Sequence, residues 1–510
     1  MFSSKIFTRI SFHKINIRTF RQQQRPNPSK ERSSPNNLLW KIIEENNIKG
    51  AQDWKDVRTQ IQNEIRSVTP ASIDAMTVSI CTRKKKFNLA LSYLDFLNNE
   101  NVKLNLATLG KYFKLLYVKG VEESLATEDE EKILQMYDSL RTTYPVLDSL
   151  TLDNVTQALS LTKKWKVCLD LLDEIKVTSS PTSNTYSAVI AAAFSNKADN
   201  LAWKLLDELI ENNKTIQDVV YITYFKRIIT QSEKIAHIEK MFNFMQNNGV
   251  QIEPENVDTF VEAFKDLKVV IKNSNIHTRG VCKCCNKKLK TFELSDDEFN
   301  NLKTKILDNV IVGKDVFNKT TSEELERFNK FTSNMEKFDV IIDGLNVAYS
   351  AGVKQSSYVT SGLVAAVVSH FARVGKKVLV LGRKHMSKWP QKNWKYVQKN
   401  ATTFLTEDLS QDDPYLLYCA LNSGKDTVIV TRDLMRSHKF LLREVHLKLL
   451  FDRWLSQRQY LLLRVPENGE PIFKKPLPFS QIAQKNEEYW HIPCISDSTS
   501  ASSKWLCIKL

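Results

Sequence analysis

A short apolar pattern recurs at a nearly constant interval along the first half of the chain. The copies begin at Met136, Leu171, Leu205 and Met241, at steps of 35, 34 and 36 residues, and a looser copy begins at Tyr93. Such a period, with apolar positions at helical spacing, predicts pairs of helices that bury their apolar faces only by stacking on neighbouring pairs. The sequence therefore predicts an all-α helical-repeat solenoid over residues 35–268.

The repeat period resembles that of the pentatricopeptide repeat family, and this resemblance implies RNA binding along a concave groove. Tetratricopeptide arrays, which bind proteins, have nearly the same period, but their small-residue and aromatic signature is not found at fixed offsets. A formal net charge of +15 and a pI near 9.2 favour a polyanionic partner. A basic surface that serves only solubility is the alternative.

The first 30 residues carry seven basic residues and no acidic one, with apolar residues between the charges. This pattern is typical of a mitochondrial transit peptide, so residues 1–34 are predicted to be a transit peptide and linker and the mature protein to reside in the mitochondrial matrix. A basic RNA-binding arm is the alternative. No apolar stretch reaches the roughly 18 to 20 residues that span a bilayer, so membrane insertion is not expected.

Short buried strands alternate with helical stretches in the second half of the chain. The predicted strands are 338–342, 378–381 and 427–431, and the clearest helices are 361–374 and 413–421. Strand, helix and strand in this order predict a C-terminal α/β parallel-sheet domain of doubly wound type over residues 337–479. Ligands of such sheets bind at the carboxyl ends of the strands.

Four carboxylates are expected to converge on that edge of the sheet: Asp343, Asp412, Asp413 and Asp433. Asp412 and Asp413 also precede Pro414, so a helix cap alone would account for them. Four carboxylates without a cation would repel one another, and oxygen ligands select Mg²⁺ or Mn²⁺, with two ions expected. Three acidic residues nearby remain rivals, namely Asp339, Glu407 and Asp408.

The motifs around these residues closely resemble the NYN-type, PIN-like metallonuclease domain of protein-only ribonuclease P. They are Asp343-Gly344-Leu345-Asn346, then Asp412-Asp413, then Thr431-Arg432-Asp433-Leu434-Met435-Arg436 with His438. The resemblance implies that the four aspartates are catalytic and bind the magnesium ions. It makes Asn346, Arg436 and His438 candidates for positioning phosphate or water.

A structural zinc site is expected from cysteine spacing and from the same resemblance. Cys282 and Cys285 form a Cys-x-x-Cys pair, which needs two further ligands for a tetrahedral Zn²⁺. The resemblance supplies His491 and Cys507, and it implies a central zinc-binding domain made of residues 269–336 and 480–510. Cys284 and Cys494 are not expected to bind zinc, and buried thiols without metal are the alternative.

The order of the parts resembles the animal mitochondrial type of the family. The resemblance then implies a catalytic subunit that removes 5′ leaders from mitochondrial precursor transfer RNA. It also implies two protein partners, a tRNA methyltransferase and a short-chain dehydrogenase. Two alternatives stay open: an endoribonuclease of the same fold with another RNA target, and an RNA-binding repeat protein whose nuclease domain is inactive.

Overall fold

The computed structural model describes residues 34–48, 50–231, 233–267, 269–307, 322–407, 413–433, 435–442, 444–495 and 504–510. The chain divides into two compact units. One takes its described residues from Arg25–Phe242, Ile252–Ile271 and Lys509–Leu510, and the other takes them from Asn243–Gln251 and Lys272–Ile508. The predicted transit segment, residues 1–33, lies outside the described residues. No helix among those described is long and apolar enough to span a bilayer.

The first unit is built from successive helices, although the last five residues of one of them, 243–247, belong to the other unit. Their bounds are Pro35–Glu45 (α1), Ala51–Glu64 (α2), Ile73–Arg83 (α3), Phe87–Asn99 (α4), Leu106–Glu123 (α5), Thr127–Thr143 (α6), Ser149–Leu159 (α7), Val167–Thr178 (α8), Ser183–Ser195 (α9), Asp199–Glu211 (α10), Asp218–Ile228 (α11), Lys234–Asn247 (α12) and Val257–Glu262 (α13). The apolar motif lies on every second helix from α4 to α12. The first helices α3, α5, α7, α9 and α11 pack in series, so the predicted helical-repeat array is confirmed.

The starts of three repeats carry the same local signal. Asn105, Asp148 and Thr182 are the N-caps of α5, α7 and α9, and each side chain accepts a hydrogen bond from the backbone N–H three residues later. An N-cap of this kind stabilises a helix by about 1 kcal/mol. The α5 and α6 pair is longer than its neighbours, with 18 and 17 residues. This extension explains why the looser copy at Tyr93 lies out of step with the others.

The second unit contains a six-stranded sheet with the strand order β4-β3-β2-β5-β6-β7. The strands are Val340–Asp343 (β2), Val378–Arg383 (β3), Thr402–Thr406 (β4), Val428–Val430 (β5), Gln459–Arg464 (β6) and Ile472–Lys474 (β7). Strands β2 to β6 pair in parallel and β7 is antiparallel. The predicted parallel sheet is therefore confirmed, with three strands beyond those predicted.

Helices cover both faces of this sheet. They are Asp296–Ile306 (α14), Ser322–Ser333 (α15), Gly344–Ala348 (α16), Ser357–Arg373 (α17), Gln391–Asn400 (α18), Asp413–Ser423 (α19), Arg436–Leu441 (α20) and Val445–Arg458 (α21). Val340 and Ile342 face one core with residues of α17 and α18, whereas Ile341 faces the other with residues of α14, α19 and α21. Alternation along β2 thus distributes its side chains between two apolar layers.

A smaller sheet brings the end of the chain back to residue 270. Its strands are Val270–Asn275 (β1), Gln484–Asn486 (β8), Tyr489–Pro493 (β9) and Lys504–Lys509 (β10), in the order β1-β10-β9-β8. Helix α14 follows this segment, and its Phe299 and Leu302 are buried in the same core as Ile341 of the larger sheet. The predicted bounds of a separate zinc domain stay a prediction.

Candidate active site and metal centre

Asp343 is the last residue of β2 and lies at the carboxyl end of the parallel sheet. Its side chain is buried, and it also caps α16, because Oδ1 accepts a hydrogen bond of 2.9 Å from the backbone N–H of Asn346. Oδ2 accepts a second bond of 2.9 Å from the Thr431 hydroxyl, at the end of the neighbouring strand. One donor from α16 and one from the residue after β5 therefore hold this carboxylate in one orientation.

The loop after β5 is joined to the same position by a chain of hydrogen bonds. The Thr431 hydroxyl also accepts a bond of 3.1 Å from the backbone N–H of Asp433, and the Asn346 side-chain oxygen accepts one of 3.0 Å from the N–H of Arg432. Gln459 donates to the carbonyl oxygens of Thr431 and Asp433. The structure thus brings Asp343, Asn346 and Asp433 to one edge of the sheet.

The Asp433 carboxylate is shaped by the backbone that follows it. Met435 has a positive φ of 51° and precedes α20, and its N–H donates to Asp433 Oδ1 at 2.7 Å. A non-glycine residue in the left-handed region is uncommon and indicates a locally constrained turn. The bond uses Oδ1, and Asp433 as a residue is half-buried at the sheet edge.

The structure describes the other predicted site residues only in part. Asp412 lies outside the described residues, as does Asp408, and Asp413 is the first residue of α19 rather than its N-cap. Arg436 is exposed on the first turn of α20, which also contains His438, whose side chain is not among those described. The convergence of Asp412 and Asp413 with Asp343 stays a prediction.

The two described rivals occupy different surroundings. Asp339 precedes β2, at the opposite end of this strand from Asp343, and it binds the backbone N–H of Lys377 and the ammonium of Lys376. These contacts lower the pKa of Asp339, with the Lys377 N–H as the largest cause. Glu407 follows β4 at the same edge as Asp343 but forms ion pairs with Arg327 and Lys384.

The donors at this edge suit a divalent cation with oxygen ligands. Asp343 and Asp433 present carboxylate oxygens, and no described ion pair includes Asp433. Carboxylate oxygens of this kind are the ligands that Mg²⁺ and Mn²⁺ prefer. The residues present therefore fit the predicted magnesium site.

Thr431 was not predicted as a functional residue, although it lies within the recognised motif. We expect Thr431→Val to lower the free energy of unfolding by about 1 to 3 kcal/mol, because the buried Asp343 carboxylate and the N–H of the half-buried Asp433 each lose a hydrogen bond. RNA cleavage should fall by about ten- to a hundredfold, the usual cost of removing a residue that orients a metal ligand. Chemical denaturation and single-turnover cleavage measure the two effects.

Thr427→Val is the matched control, because its buried hydroxyl lies at the other end of β5 and donates to the Phe338 carbonyl oxygen at 3.0 Å. This variant should lose comparable stability and keep its cleavage rate. Equal rates of cleavage in the two variants would show that Thr431 contributes only to folding.

Four predicted zinc ligands meet beside the smaller sheet. The ligand atoms of Cys282, Cys285, His491 and Cys507 all lie within 4.8 Å of one another. His491 Nε2 is 3.2 Å from the Cys285 sulfur and 3.9 Å from the Cys507 sulfur. A tetrahedral zinc ion with sulfur and nitrogen ligands places neighbouring ligand atoms roughly 3.5 to 3.8 Å apart, so the four residues fit zinc.

The charge balance of the cluster also favours a cation. Burial alone would raise the pKa of Cys282, but hydrogen bonds from His491, Ser274 and two backbone N–H groups outweigh burial and lower it to about 5. Burial raises the pKa of Cys507, and the neighbouring Cys282 and Cys285 sulfurs raise it further. One thiol therefore ionises readily, whereas three thiolates in this pocket require a compensating positive charge.

The surroundings separate these ligands from the other cysteines. Cys282 and Cys507 are buried with Leu289, Phe479 and Trp505 in a small apolar cluster. Cys284 is exposed, and its backbone N–H donates to the Cys282 sulfur at 3.4 Å. Cys494 is buried but lies outside the four-residue group. Strands β9 and β10, which carry His491 and Cys507, are thus held next to Cys282 and Cys285.

The fold, with Asp343 and Asp433 at adjacent strand ends, defines a class of protein that joins a helical-repeat array to a parallel α/β domain. Residues 276–507 match the family model "Protein-only RNase P". The mitochondrial ribonuclease P catalytic subunit of Mus musculus is 31% identical over 415 residues, which are 77% of this chain and 69% of that protein. The chain belongs to the protein-only ribonuclease P family, and the predicted resemblance is confirmed.

Two plant proteins extend the comparison. Proteinaceous RNase P 1, chloroplastic/mitochondrial, of Arabidopsis thaliana is 28% identical over 262 residues, covering 47% of this chain and 41% of the relative. The crystal structure of nuclear proteinaceous RNase P 2 from A. thaliana superposes with a TM-score of 0.58 at 16% identity and covers 87% of this chain and all of that one. This second likeness concerns the fold.

Proposed function

We propose that the chain is the catalytic subunit of a mitochondrial ribonuclease P and removes 5′ leaders from precursor transfer RNA. The observation that carries this proposal is the pairing of Asp343 and Asp433 at adjacent strand ends through Thr431. Family membership identifies the reaction, and the named mouse relative is a mitochondrial ribonuclease P catalytic subunit. The expected location is the mitochondrion, specifically its matrix.

Asp343, Asp412, Asp413 and Asp433 would hold the divalent ions in this proposal. Magnesium or manganese bound there would activate the attacking water and stabilise the departing 3′ oxygen. The protein contributes rigid orientation: Thr431 and the Asn346 N–H fix Asp343, and Met435 N–H fixes Asp433. Hydrolysis in this geometry leaves a 5′ phosphate on the mature RNA and a 3′ hydroxyl on the leader.

Asn346 has a more defined part in this proposal than the sequence indicated. Its side-chain oxygen accepts from the Arg432 N–H and ties the two motifs together. Its amide nitrogen is the group left for phosphate or water, and Arg436 and His438 on α20 are further candidates. Zinc held by Cys282, Cys285, His491 and Cys507 would be structural, since four protein ligands leave no open position.

The repeat array would bind the folded body of the transfer RNA, largely through its backbone and shape. The two predicted protein partners, a tRNA methyltransferase and a short-chain dehydrogenase, would help to hold the precursor. Charge supports the RNA assignment, because the net charge of +15 attracts a polyanion.

Cleavage of a precursor transfer RNA in Mg²⁺ tests the proposal, with the full chain alone and with the two partner proteins. We expect one cut at the mature 5′ end, with a 5′ phosphate on the product. A matched panel of structured RNAs without a transfer RNA fold is the control. Equal cleavage of that panel would favour an endoribonuclease with another target, and RNA binding without cleavage under any condition would favour a binding protein.

A further inference from the structure

A basic segment without acidic residues runs through the nuclease domain. It lies beside the catalytic edge, by which we mean the edge of the larger sheet that holds Asp343 and Asp433. Between Val374 and Thr406 the sequence contains eight lysine and arginine residues and no aspartate or glutamate. The segment includes β3, the turn Lys384–Lys388, helix α18 and β4. None of the proposed magnesium or zinc ligands lies in it, and its Lys384 pairs with Glu407, just beyond the end of the segment.

Helix α18 separates its charges from its apolar residues. Trp394 and Val397 are buried in the core beside α17, whereas Lys392, Lys395 and Lys399 are exposed. At 3.6 residues per turn the three lysines fall within a stripe about 60° wide, on the side opposite the buried residues. No ion pair among the described residues includes these lysines or Lys388.

The fold directs this lysine stripe away from the catalytic edge. Asp343 of β2 is paired with Leu381 of β3, so β3 ends only two residues beyond the level of Asp343, at Arg383. Because β4 is parallel to β3, the connecting helix α18 must return from the carboxyl edge towards the opposite edge. Lys388 is therefore nearest the edge that holds Asp343, and Lys392, Lys395 and Lys399 follow in order along roughly 10 Å of helix.

Close packing fixes the start of this path. Met386 lies in the turn between β3 and α18 and is fully buried. A side-chain carbon at Gly382 would overlap Met386, and one at Gly344 would lie 2.8 Å from its terminal carbon. The two glycines, one on β3 and one directly after Asp343, thus let Met386 hold the basic turn against the catalytic strand.

We propose that the lysine stripe of α18 binds the phosphate backbone of the single-stranded 5′ leader as it leaves the active site. This inference rests on the proposed function, because it assigns a path to one part of that substrate. A single row of cations on a convex helix matches one chain of phosphates better than the two backbones of a duplex. The leader is the segment that continues past the cut, whereas the folded body lies on the other side of it.

The test compares two precursors that share one transfer RNA body, one with a single-nucleotide leader and one with a leader of about ten nucleotides. The full-length protein carries Lys392→Gln, Lys395→Gln and Lys399→Gln together. The control carries Lys337→Gln, Lys376→Gln and Lys377→Gln, which remove the same charge at the opposite end of the strands. Binding is measured by fluorescence anisotropy as a function of salt, and cleavage is measured separately.

For the long leader, we expect the α18 variant to bind about tenfold more weakly near 0.1 M salt. The slope of log affinity against log salt should decrease in magnitude by about 2, since each of the three lost phosphate contacts on a single strand removes about 0.7 from it. With the short leader, and in the control protein, affinity and slope should stay near the wild-type values. A structural role alone would not produce this dependence on leader length.

An equal loss for both leader lengths would assign the stripe to the folded RNA body and overturn the proposal. Unchanged affinity for both precursors would overturn the proposal as well. The lysines would then be assigned to contact with an acidic protein surface. If none of the proteins cleaves the precursor, that result counts against the proposed function, while the comparison of leader lengths in the binding assay still decides the role of α18.

Discussion

Replacing Asp343 with Asn is expected to reduce cleavage of precursor transfer RNA by about a thousandfold or more, equivalent to about 4 kcal/mol in the activation barrier. The carboxylate is buried and receives hydrogen bonds on both oxygens from fixed donors, so an amide cannot reproduce its charge or its acceptors. Single-turnover cleavage at saturating Mg²⁺ measures the loss. Affinity for the RNA should change little, because RNA binding is assigned to the repeat array, which belongs to the other compact unit.

Asp339→Asn is the matched control for this prediction. Asp339 lies at the other end of the same strand and is held by Lys376 and the Lys377 N–H on the surface. The substitution removes one negative charge from the same domain, and we expect the cleavage rate to stay within about threefold of wild type, as for an exposed ion pair of small energy. Comparable losses in both variants would show that charge or folding, and not the position of Asp343, determines the rate.

The strand ends were predictable because their sequence pattern is local. A run of apolar residues that ends in Asp343 or precedes Asp433 needs no knowledge of distant residues, and parallel strands bring their carboxyl ends together by topology alone. Strands β4 and β6 were not predicted. Thr402–Thr406 and Gln459–Arg464 are partly exposed, and a strand of this kind is defined by the neighbour with which it pairs.

The hydrogen bonds that orient the aspartates could not be predicted from the spacing of residues in the sequence. The Thr431 hydroxyl joins the Asp343 carboxylate to the backbone N–H of Asp433, and Gln459 of β6 donates to the carbonyl oxygen of Thr431. Both depend on which strands are adjacent in the sheet. The N-caps at Asn105, Asp148 and Thr182 are different, because a capping residue followed by threonine three positions later was visible in the sequence and could have set the repeat boundaries.

Cysteine spacing identified two of the four zinc ligands, and the other two came from the family resemblance. Cys282 and Cys285 form a recognisable pair, but the partners are about two hundred residues away, and the sequence also offers Cys284 and Cys494. Only folding brings His491 of β9 and Cys507 of β10 to the pair. Chain topology, which no local pattern contains, therefore determines this site.

Loss of one zinc ligand should be the most destabilising single change in the second unit. We expect Cys507→Ser to reduce bound zinc from about one ion per chain to nearly none, because three remaining ligands bind much more weakly. The strands β9 and β10 would lose their link to residue 282, and the free energy of unfolding should fall by several kcal/mol. Zinc content by elemental analysis and thermal unfolding, with and without a chelator, measure both effects.

Cys284→Ser and Cys494→Ser are the controls, since one thiol is exposed and the other is buried outside the cluster. Both variants should keep the zinc, and Cys494→Ser should lose only the modest stability that a buried polar substitution costs, about 1 to 3 kcal/mol. The chelator should destabilise both controls but leave Cys507→Ser unchanged, because that variant has no metal to lose. Full zinc content in Cys507→Ser would contradict the four-ligand site, since a cluster that keeps its ion without Cys507 must take its fourth ligand from elsewhere.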